Sequence, residues 1–188
     1  SYVEPPRTPE EGYHLNEDLA DEAIRMIAEQ HQSTPHRPFF MYFAPGAMHA
    51  PHQAPPEWIE RYRGQFDDGW DAYRERVFAR QRAEGIVPPD TQPTPRPEGM
   101  KAWADLPEEE QRLYARQMEV FAGFLSHTDH HLGRVVEFLD ELGILDDTIV
   151  MVCTDNGASA EGGEHGSFNE HSWAMGQEDD FATSLERI

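Results

Sequence analysis

The sequence predicts an α/β fold in which a mostly parallel sheet is flanked by helices. Two uninterrupted apolar runs of strand length, 38–43 and 148–153, are typical of strands buried on both faces of a parallel sheet. Each run follows a stretch whose apolar residues recur at helical spacing, so helix and strand alternate along the chain. With 188 residues, the chain is long enough to form one such domain around its own core.

The first helix is expected to run from Asn16 to about Gln30. Asn16 is a favoured N-cap residue, and the two acidic residues after it suit the positive end of the helix dipole. Four apolar residues recur on one face, the usual stripe of a helix that packs against a sheet: Leu19, Ala23, Met26 and Ile27. The loop after the first predicted strand, 44–56, is broken by Pro and Gly.

A second, longer helix is expected to begin near Pro107 and to end at Gly143. Proline favours the first turn of a helix, and the three glutamates that follow it suit the positive end of the dipole. Upstream, residues 58–82 predict one or two surface helices, and the Pro-rich stretch 85–100 predicts an extended loop. The C-terminal residues are expected to begin another helix.

The charge balance argues against nucleic acid or an anionic membrane as a partner. The chain carries 36 acidic residues against 15 basic ones, a formal net charge of −21, whereas both partners require a basic patch. No apolar stretch approaches the roughly 18 residues that a membrane span needs, and no signal peptide is visible. Cys153 is the only cysteine, which excludes an intrachain disulfide and a Cys-based zinc site; at the end of an apolar strand it is expected to be buried and inert.

Asp155 and Asn156 directly follow the second predicted strand and are candidate metal ligands. Carboxylate and carboxamide oxygens suit a hard cation such as Ca²⁺ or Mg²⁺, and ligands of open α/β sheets bind at the carboxyl ends of the strands. Together with Gly157, the same residues are also typical of a turn, so the tripeptide alone leaves both interpretations open. Glu164 and His165 follow in a Gly-rich loop of the kind that sometimes closes over a site.

Two groups of histidines are further candidates. His49 and His52 lie in the Pro-broken loop after the first strand, where an imidazole can donate to an anion or a leaving group; plain surface histidines are the alternative. His127 and His131 share one face of the long helix at the i, i+4 spacing of metal-binding pairs. However, Thr128 stands where the zinc-protease motif has glutamate, so solvated histidines on a helix face are the favoured interpretation.

Taken in order along the chain, these segments resemble the sulfatase family. The run 37–52, RPFFMYFAPGAMHAPH, resembles the family's PFF-x-Y-x-A…H-x-P segment. The run 121–157 resembles the family's long helix, here with HHLGR at 130–134, followed by a strand that ends in Asp-Asn-Gly. The continuation 158–163 is similar to the bacterial arylsulfatase branch in particular. The resemblance covers most of the chain, from about Gly12 onward.

The resemblance implies roles for three residues, and a fourth is a candidate because it lies nearby in the sequence. His49 matches the active-site histidine that contacts the sulfate ester, and His52 is a neighbouring candidate for substrate binding. Asp155 and Asn156 match two ligands of a divalent metal, usually Ca²⁺ in this branch and alternatively Mg²⁺. The fold implied is that of the alkaline-phosphatase-like superfamily, with residues 1–188 forming an internal segment of a single catalytic domain.

The nucleophile that the resemblance implies is expected outside this sequence. Sulfatases use a formylglycine made from Cys or Ser in a Cys/Ser-x-Pro-x-Arg signature. Cys153 is followed by Thr-Asp-Asn-Gly and does not begin such a signature. The family's active-site lysines are also unmatched, because the single lysine, Lys101, lies in the Pro-rich stretch. We therefore expect the nucleophile region before residue 1.

The expected function is hydrolysis of a small-molecule or carbohydrate sulfate monoester by a longer polypeptide, with this chain inactive by itself. Two alternatives stay open: a phosphomonoester or phosphonate monoester hydrolase of the same superfamily, and a non-catalytic domain that retains the fold. The residue at the nucleophile position separates the two enzymes, because Cys or Ser favours a sulfatase and Thr favours phosphoryl transfer. The sequence does not define the ester, the oligomeric state or the compartment.

Overall fold

The computed structural model describes residues 4–154, 156–157, 162–163, 165–168, 170–177 and 179–188. Helices dominate these ranges: α1 (Leu15–Ser33), α2 (Pro56–Glu60), α3 (Gly69–Ala83), α4 (Glu108–Glu141), α5 (Glu170–Ala174) and α6 (Phe181–Glu186). Short 3-10 turns lie at Pro9–Glu11, Trp103–Asp105 and Leu145–Asp147. None of the described helices is both long enough and apolar enough to cross a membrane.

The chain forms two compact units, and α4 contributes to both of them. The first unit contains Ser1–His52 and Phe124–Ser159, and the second contains Gln53–Gly123 and Ala160–Ile188. The first unit therefore includes α1 and the C-terminal part of α4. The second unit includes α2, α3 and the N-terminal part of α4.

The prediction of a parallel α/β sheet is wrong for the residues that the structure describes, none of which lies in a strand. Both predicted strands, 38–43 and 148–153, are irregular, and their side chains face solvent: Phe40 and Ile149 are each 87% exposed. The physical reason is that a helix satisfies its own backbone hydrogen bonds, whereas a strand needs a second strand beside it. Cys153 is exposed for the same reason, contrary to the buried thiol expected from the sequence.

Helix α1 begins one residue before the predicted N-cap. The N-cap is His14, whose Nδ1 accepts a hydrogen bond of 3.2 Å from the backbone N–H of Asn16. The side chain of Asn16 is buried and donates to Thr128 Oγ1 on α4 at 2.9 Å. Of the predicted apolar stripe, Ala23 and Ile27 are buried, but Met26 is half exposed.

Helix α4 has the bounds that the sequence predicts. It begins directly after Pro107 and closes at Gly143, whose φ of 68° is the left-handed conformation that ends many helices. Within the first unit, its inward face buries apolar and polar side chains together: Phe124, His127, Thr128, His131 and Leu139.

The core of the second unit is aromatic and depends on two glycines. The Trp103 and Trp70 rings meet edge to face at 5.0 Å between centroids, and Trp103 is buried. Gly69 has a φ of +76°, and a Cβ there would lie 1.9 Å from the Trp103 ring. Gly123 lets α4 approach α2 closely, because a Cβ at this position would lie 2.9 Å from the backbone of Ile59.

Candidate functional site

The loop that carries His49 is held by short-range hydrogen bonds. The backbone N–H of His49 donates to the carbonyl of Gly46 at 2.9 Å, which closes a turn. His49 Nδ1 lies 2.8 Å from the carbonyl oxygen of Ala50. Because a carbonyl only accepts, Nδ1 carries the proton of this hydrogen bond.

His52 is tied to the same loop and to α4. Its Nε2 lies 3.2 Å from the carbonyl oxygen of Met48, and its ring lies 6.0 Å from the buried ring of Phe124. Sequence reasoning did not identify Phe124 as a support for this loop, because one apolar residue in a periodic helix has no distinguishing signal. The structure thus brings the two predicted loop histidines into one turn, beside α4 in the first unit.

Asn156 is the part of the predicted metal site that the structure describes. It is exposed, and its Nδ2 donates to the carbonyl of Gly157 at 2.8 Å, so its Oδ1 is the atom that can bind a cation. Asp155 and Glu164 lie outside the described residues. The chemistry of Asp155 and Asn156 fits a hard cation, but no group of three metal-binding side chains occurs among the described residues.

His127 and His131 are buried, contrary to the expectation of solvated histidines. Their Nε2 atoms are 3.1 Å apart, and the side chains are 3% and 8% exposed. Burial, and after it the positive charge that neighbouring imidazoles carry when protonated, lowers the pKa of His127 to about 3. Burial also lowers the pKa of His131, with the Arg134 guanidinium as the next cause. Both rings are therefore neutral near pH 7.

His165 is fixed on α4 in the second unit rather than freely solvated. Its Nδ1 lies 2.7 Å from Tyr114 Oη, and its carbonyl accepts a hydrogen bond of 2.6 Å from Gln117 Nε2. The Tyr114 and His165 rings are nearly parallel, with centroids 6.0 Å apart. This histidine belongs to the second unit, whereas His49 and Asn156 belong to the first.

Comparison with known proteins decides the family. The sulfatase family model matches residues 1–181. The chain belongs to the sulfatase family. It is 34% identical over 148 residues to an uncharacterized sulfatase of Schizosaccharomyces pombe. The match covers 78% of this chain and 26% of that protein. It is 40% identical over 124 residues to an arylsulfatase of Klebsiella aerogenes. This match covers 65% of this chain and 26% of that protein.

The chain thus spans about a quarter of the length of these curated sulfatases. The family match confirms the resemblance inferred from the ordered segments around His49 and Asn156. The individual roles assigned to His49, His52, Asp155 and Asn156 stay predictions, because they rest on matching motif positions.

One segment of this chain matches the sulfatase signature in its letters. Ser33-Thr34-Pro35-His36-Arg37 has the letters of Cys/Ser-x-Pro-x-Arg, which was expected only outside this chain. In the structure, Ser33 is the last residue of α1, and the backbone N–H of Thr34 donates to Gln30 O at 2.8 Å. The C-terminal end of a helix is the negative end of its dipole and disfavours an anionic ester. We interpret this segment as a helix end rather than as the nucleophile.

Proposed function

We propose that this chain is an internal segment of a sulfatase catalytic domain. In that domain it supplies His49, Asp155 and Asn156 to a site that hydrolyses a sulfate monoester, R–O–SO₃⁻ + H₂O → R–OH + HSO₄⁻. The single observation that carries the proposal is the family match over residues 1–181, which includes both the His49 loop and the Asp155-Asn156 pair. The sequence similarity to an arylsulfatase favours sulfate over phosphate as the ester.

The role proposed for His49 is that of a general acid. Its Nδ1–H donates to Ala50 O, which orients the ring, and Nε2 is the atom proposed to carry the transferable proton. In the protonated ring, Nε2–H donates to the ester oxygen as the S–O bond breaks, and the departing alkoxide leaves as the alcohol. The Ala50 hydrogen bond survives protonation of the ring, because a carbonyl oxygen accepts from a neutral and from a charged imidazole alike.

The proposed metal ligands are Asp155 and Asn156, through carboxylate and carboxamide oxygens. A bound Ca²⁺, or alternatively Mg²⁺, would supply positive charge opposite the sulfate oxygens and the nucleophile. The nucleophile proposed is a formylglycine outside this sequence. The chain by itself is then inactive, because it holds part of the donor set and no nucleophile.

The charge of the chain is consistent with an incomplete site. A sulfate ester is anionic, whereas this chain has a formal net charge of −21 and only one lysine, Lys101. Lys101 lies in the second unit, where it forms an ion pair of 3.7 Å with Glu110. The attraction for a small-molecule or carbohydrate sulfate ester is proposed to come from the metal and from basic residues outside residues 1–188.

The experiment that tests this function compares His49→Ala with His52→Ala in the full-length protein that contains this chain. For a general acid, His49→Ala should lower kcat by about 10²- to 10⁴-fold on phenyl sulfate, whose leaving group needs a proton. The loss should be much smaller on 4-nitrophenyl sulfate, whose leaving group departs as an anion. His52→Ala should show no such dependence on the leaving group. Equal losses of kcat on both esters for His49→Ala would remove His49 from the role of acid.

A further inference from the structure

Three imidazoles meet between α1 and α4 in the first unit. His14 caps α1, and His127 and His131 lie one turn apart on α4. The ring centroids of His14 and His127 are 4.1 Å apart, and those of His127 and His131 are 4.4 Å apart. We call these three residues the histidine cluster. In the hydrogen bonds of this cluster, each ring acts as an acceptor through the lone pair of one nitrogen.

Two of the lone pairs are fixed by donors that cannot reverse. The backbone N–H of Asn16 donates to His14 Nδ1 at 3.2 Å. Arg134 Nη1 lies 3.0 Å from His131 Nδ1, and a guanidinium has donors only, so His131 Nδ1 is the acceptor. Arg134 is itself held by an ion pair with Asp21 of α1.

The direction of the hydrogen bond between His131 and His127 follows from the hydrogen bond between Arg134 and His131. With Nδ1 of His131 accepting, the single proton of that neutral ring is on Nε2, and it points at His127 Nε2 3.1 Å away. His127 Nε2 must then accept, which places the proton of His127 on Nδ1. Binding of a metal by this i, i+4 pair would require the proton of His131 to move to Nδ1, against Arg134. The arrangement therefore opposes a chelated metal.

Every added proton removes one of these hydrogen bonds. A protonated His14 cannot accept from Asn16, so α1 loses its N-cap bond. A protonated His131 turns an N–H toward the Arg134 guanidinium, and a protonated His127 turns one toward His131. The cluster is thus built for three neutral imidazoles at once.

The charges around the cluster have opposing effects. Arg134 and His130 of α4 disfavour a positive charge on His131, while Glu17 of α1 favours it; Asp21 is engaged by Arg134. Burial is the largest effect and lowers the pKa of both His127 and His131. A group whose folded pKa is lowered contributes stability above its ordinary pKa, 6.5 for histidine, and that stability is lost as the pH falls toward the folded value.

We propose that the histidine cluster is an acid-sensitive contact that holds α1 against α4 at neutral pH and releases it when the imidazoles are protonated. His14 is half-buried and lines a surface cleft of about 300 Å³ together with Glu17 and Asp21, so the cluster borders solvent on this side.

The loop with His52 shares a neighbour with this contact. Phe124 lies 6.3 Å from the His14 ring and 6.0 Å from the His52 ring, measured between centroids. Release of α1 therefore also removes one side of the packing around Phe124, on which His52 rests.

The first test is the tautomer and the titration of each ring in the intact chain, read by ¹⁵N NMR of the imidazole nitrogens. We expect His131 protonated on Nε2 alone and His127 on Nδ1 alone at pH 7, with neither ring titrating near 6.5. A proton on His131 Nδ1, or an ordinary titration of either ring in the folded chain, would overturn the proposal.

The second test is amide hydrogen exchange at pH 7.0 and 4.5, corrected for the intrinsic rates. Each histidine that stays neutral in the closed state should raise the opening equilibrium of α1 by on the order of 50- to 100-fold over this interval. His131→Gln removes one of the two buried imidazoles and keeps a side-chain oxygen that can accept from Arg134, so the Asn16 amide should lose on the order of 50- to 100-fold of its acid-induced acceleration.

The matched control is His36→Gln, which removes an exposed histidine of the first unit. In this variant, exchange of the Asn16 amide should accelerate between pH 7.0 and 4.5 as much as it does in the wild-type chain. Equal acceleration of the Asn16 amide in His131→Gln and in the wild-type chain would contradict the proposal, as would wild-type protection that is unchanged at pH 4.5.

Discussion

The histidines of the loop 46–52 and those of α4 belong to the same unit but have opposite hydrogen-bonding partners. His49 and His52 each point a ring nitrogen at a carbonyl oxygen, which accepts from a neutral and from a charged imidazole alike. His131 faces a guanidinium donor, and His127 faces His131, so both rings must be neutral. Protonation therefore leaves these two hydrogen bonds of the loop histidines in place, whereas it removes one from His127 or His131.

The largest difference between the two regions should appear when one histidine of each is removed. In the full-length protein, His49→Ala should lower kcat by about 10²- to 10⁴-fold and change stability by less than about 0.5 kcal/mol, because the ring is exposed. His127→Ala should instead destabilise the chain by about 2–4 kcal/mol, because it leaves a cavity and an unsatisfied His131 N–H. Chemical denaturation measures the free energy of unfolding of both variants, and steady-state kinetics measures their kcat. Similar stability losses in the two variants would contradict the distinction.

A pair of glycines compares the loop 46–52 with the part of α4 that packs against α2, without histidine chemistry. A Cβ at Gly123 of α4 would lie 2.9 Å from the backbone of Ile59, so Gly123→Ala should destabilise the chain by about 1–3 kcal/mol. At Gly46, no described atom lies within 4 Å of such a Cβ, so Gly46→Ala should change stability by less than about 0.5 kcal/mol. Urea denaturation of both variants provides the comparison. A Gly46→Ala variant as unstable as Gly123→Ala would show that the loop is packed.

Removal of the proposed metal ligands should have a smaller effect on stability, and only when Ca²⁺ is present. In the full-length protein, Ca²⁺ at about 100 times its Kd should stabilise the folded state by about 2.7 kcal/mol, and Asp155→Ala should remove most of that gain. Asn156→Ala should weaken the gain less, because it removes a neutral oxygen and not a charge. Melting curves with Ca²⁺ and with EDTA measure both. If Asp155→Ala still gains as much from Ca²⁺ as the parent protein, Asp155 is not a ligand.

The smallest effect is expected at Ser33, whose surroundings match the sulfatase signature only in letters. Ser33→Ala should leave kcat and KM on an aryl sulfate within about twofold of the parent protein, since Ser33 ends α1. Mass spectrometry should find no formylglycine at this position. A loss of activity comparable to that of His49→Ala would place the nucleophile inside this chain.

The helices could be predicted because their signals are local. Pro107, the glutamates after it and Gly143 define the limits of α4, and these residues act within a turn or two of their own position. The strands could not be predicted from apolar runs alone, because a strand requires a partner segment. In the described residues, Phe40 and Ile149 instead face solvent.

The candidate site also contains features with local signals and features that depend on residues distant in the sequence. The turn at His49 depends on Gly46 and Ala50, which are its neighbours in sequence, so the Pro-broken loop was a sufficient signal. The burial of His127 and His131 depends on α1, and the Asn16–Thr128 hydrogen bond joins residues 112 positions apart. An i, i+4 histidine pair does not reveal whether another helix covers it.

The most direct test of the account is the rate of the full-length protein on 4-nitrophenyl sulfate against 4-nitrophenyl phosphate, which have the same leaving group. A sulfatase that uses His49, Asp155 and Asn156 as proposed should show a kcat/KM for the sulfate at least about 100-fold above that for the phosphate, a difference of about 2.7 kcal/mol in transition-state stabilisation. A preference for the phosphate, or no hydrolysis of either ester by protein loaded with Ca²⁺ or Mg²⁺, would contradict the proposed function.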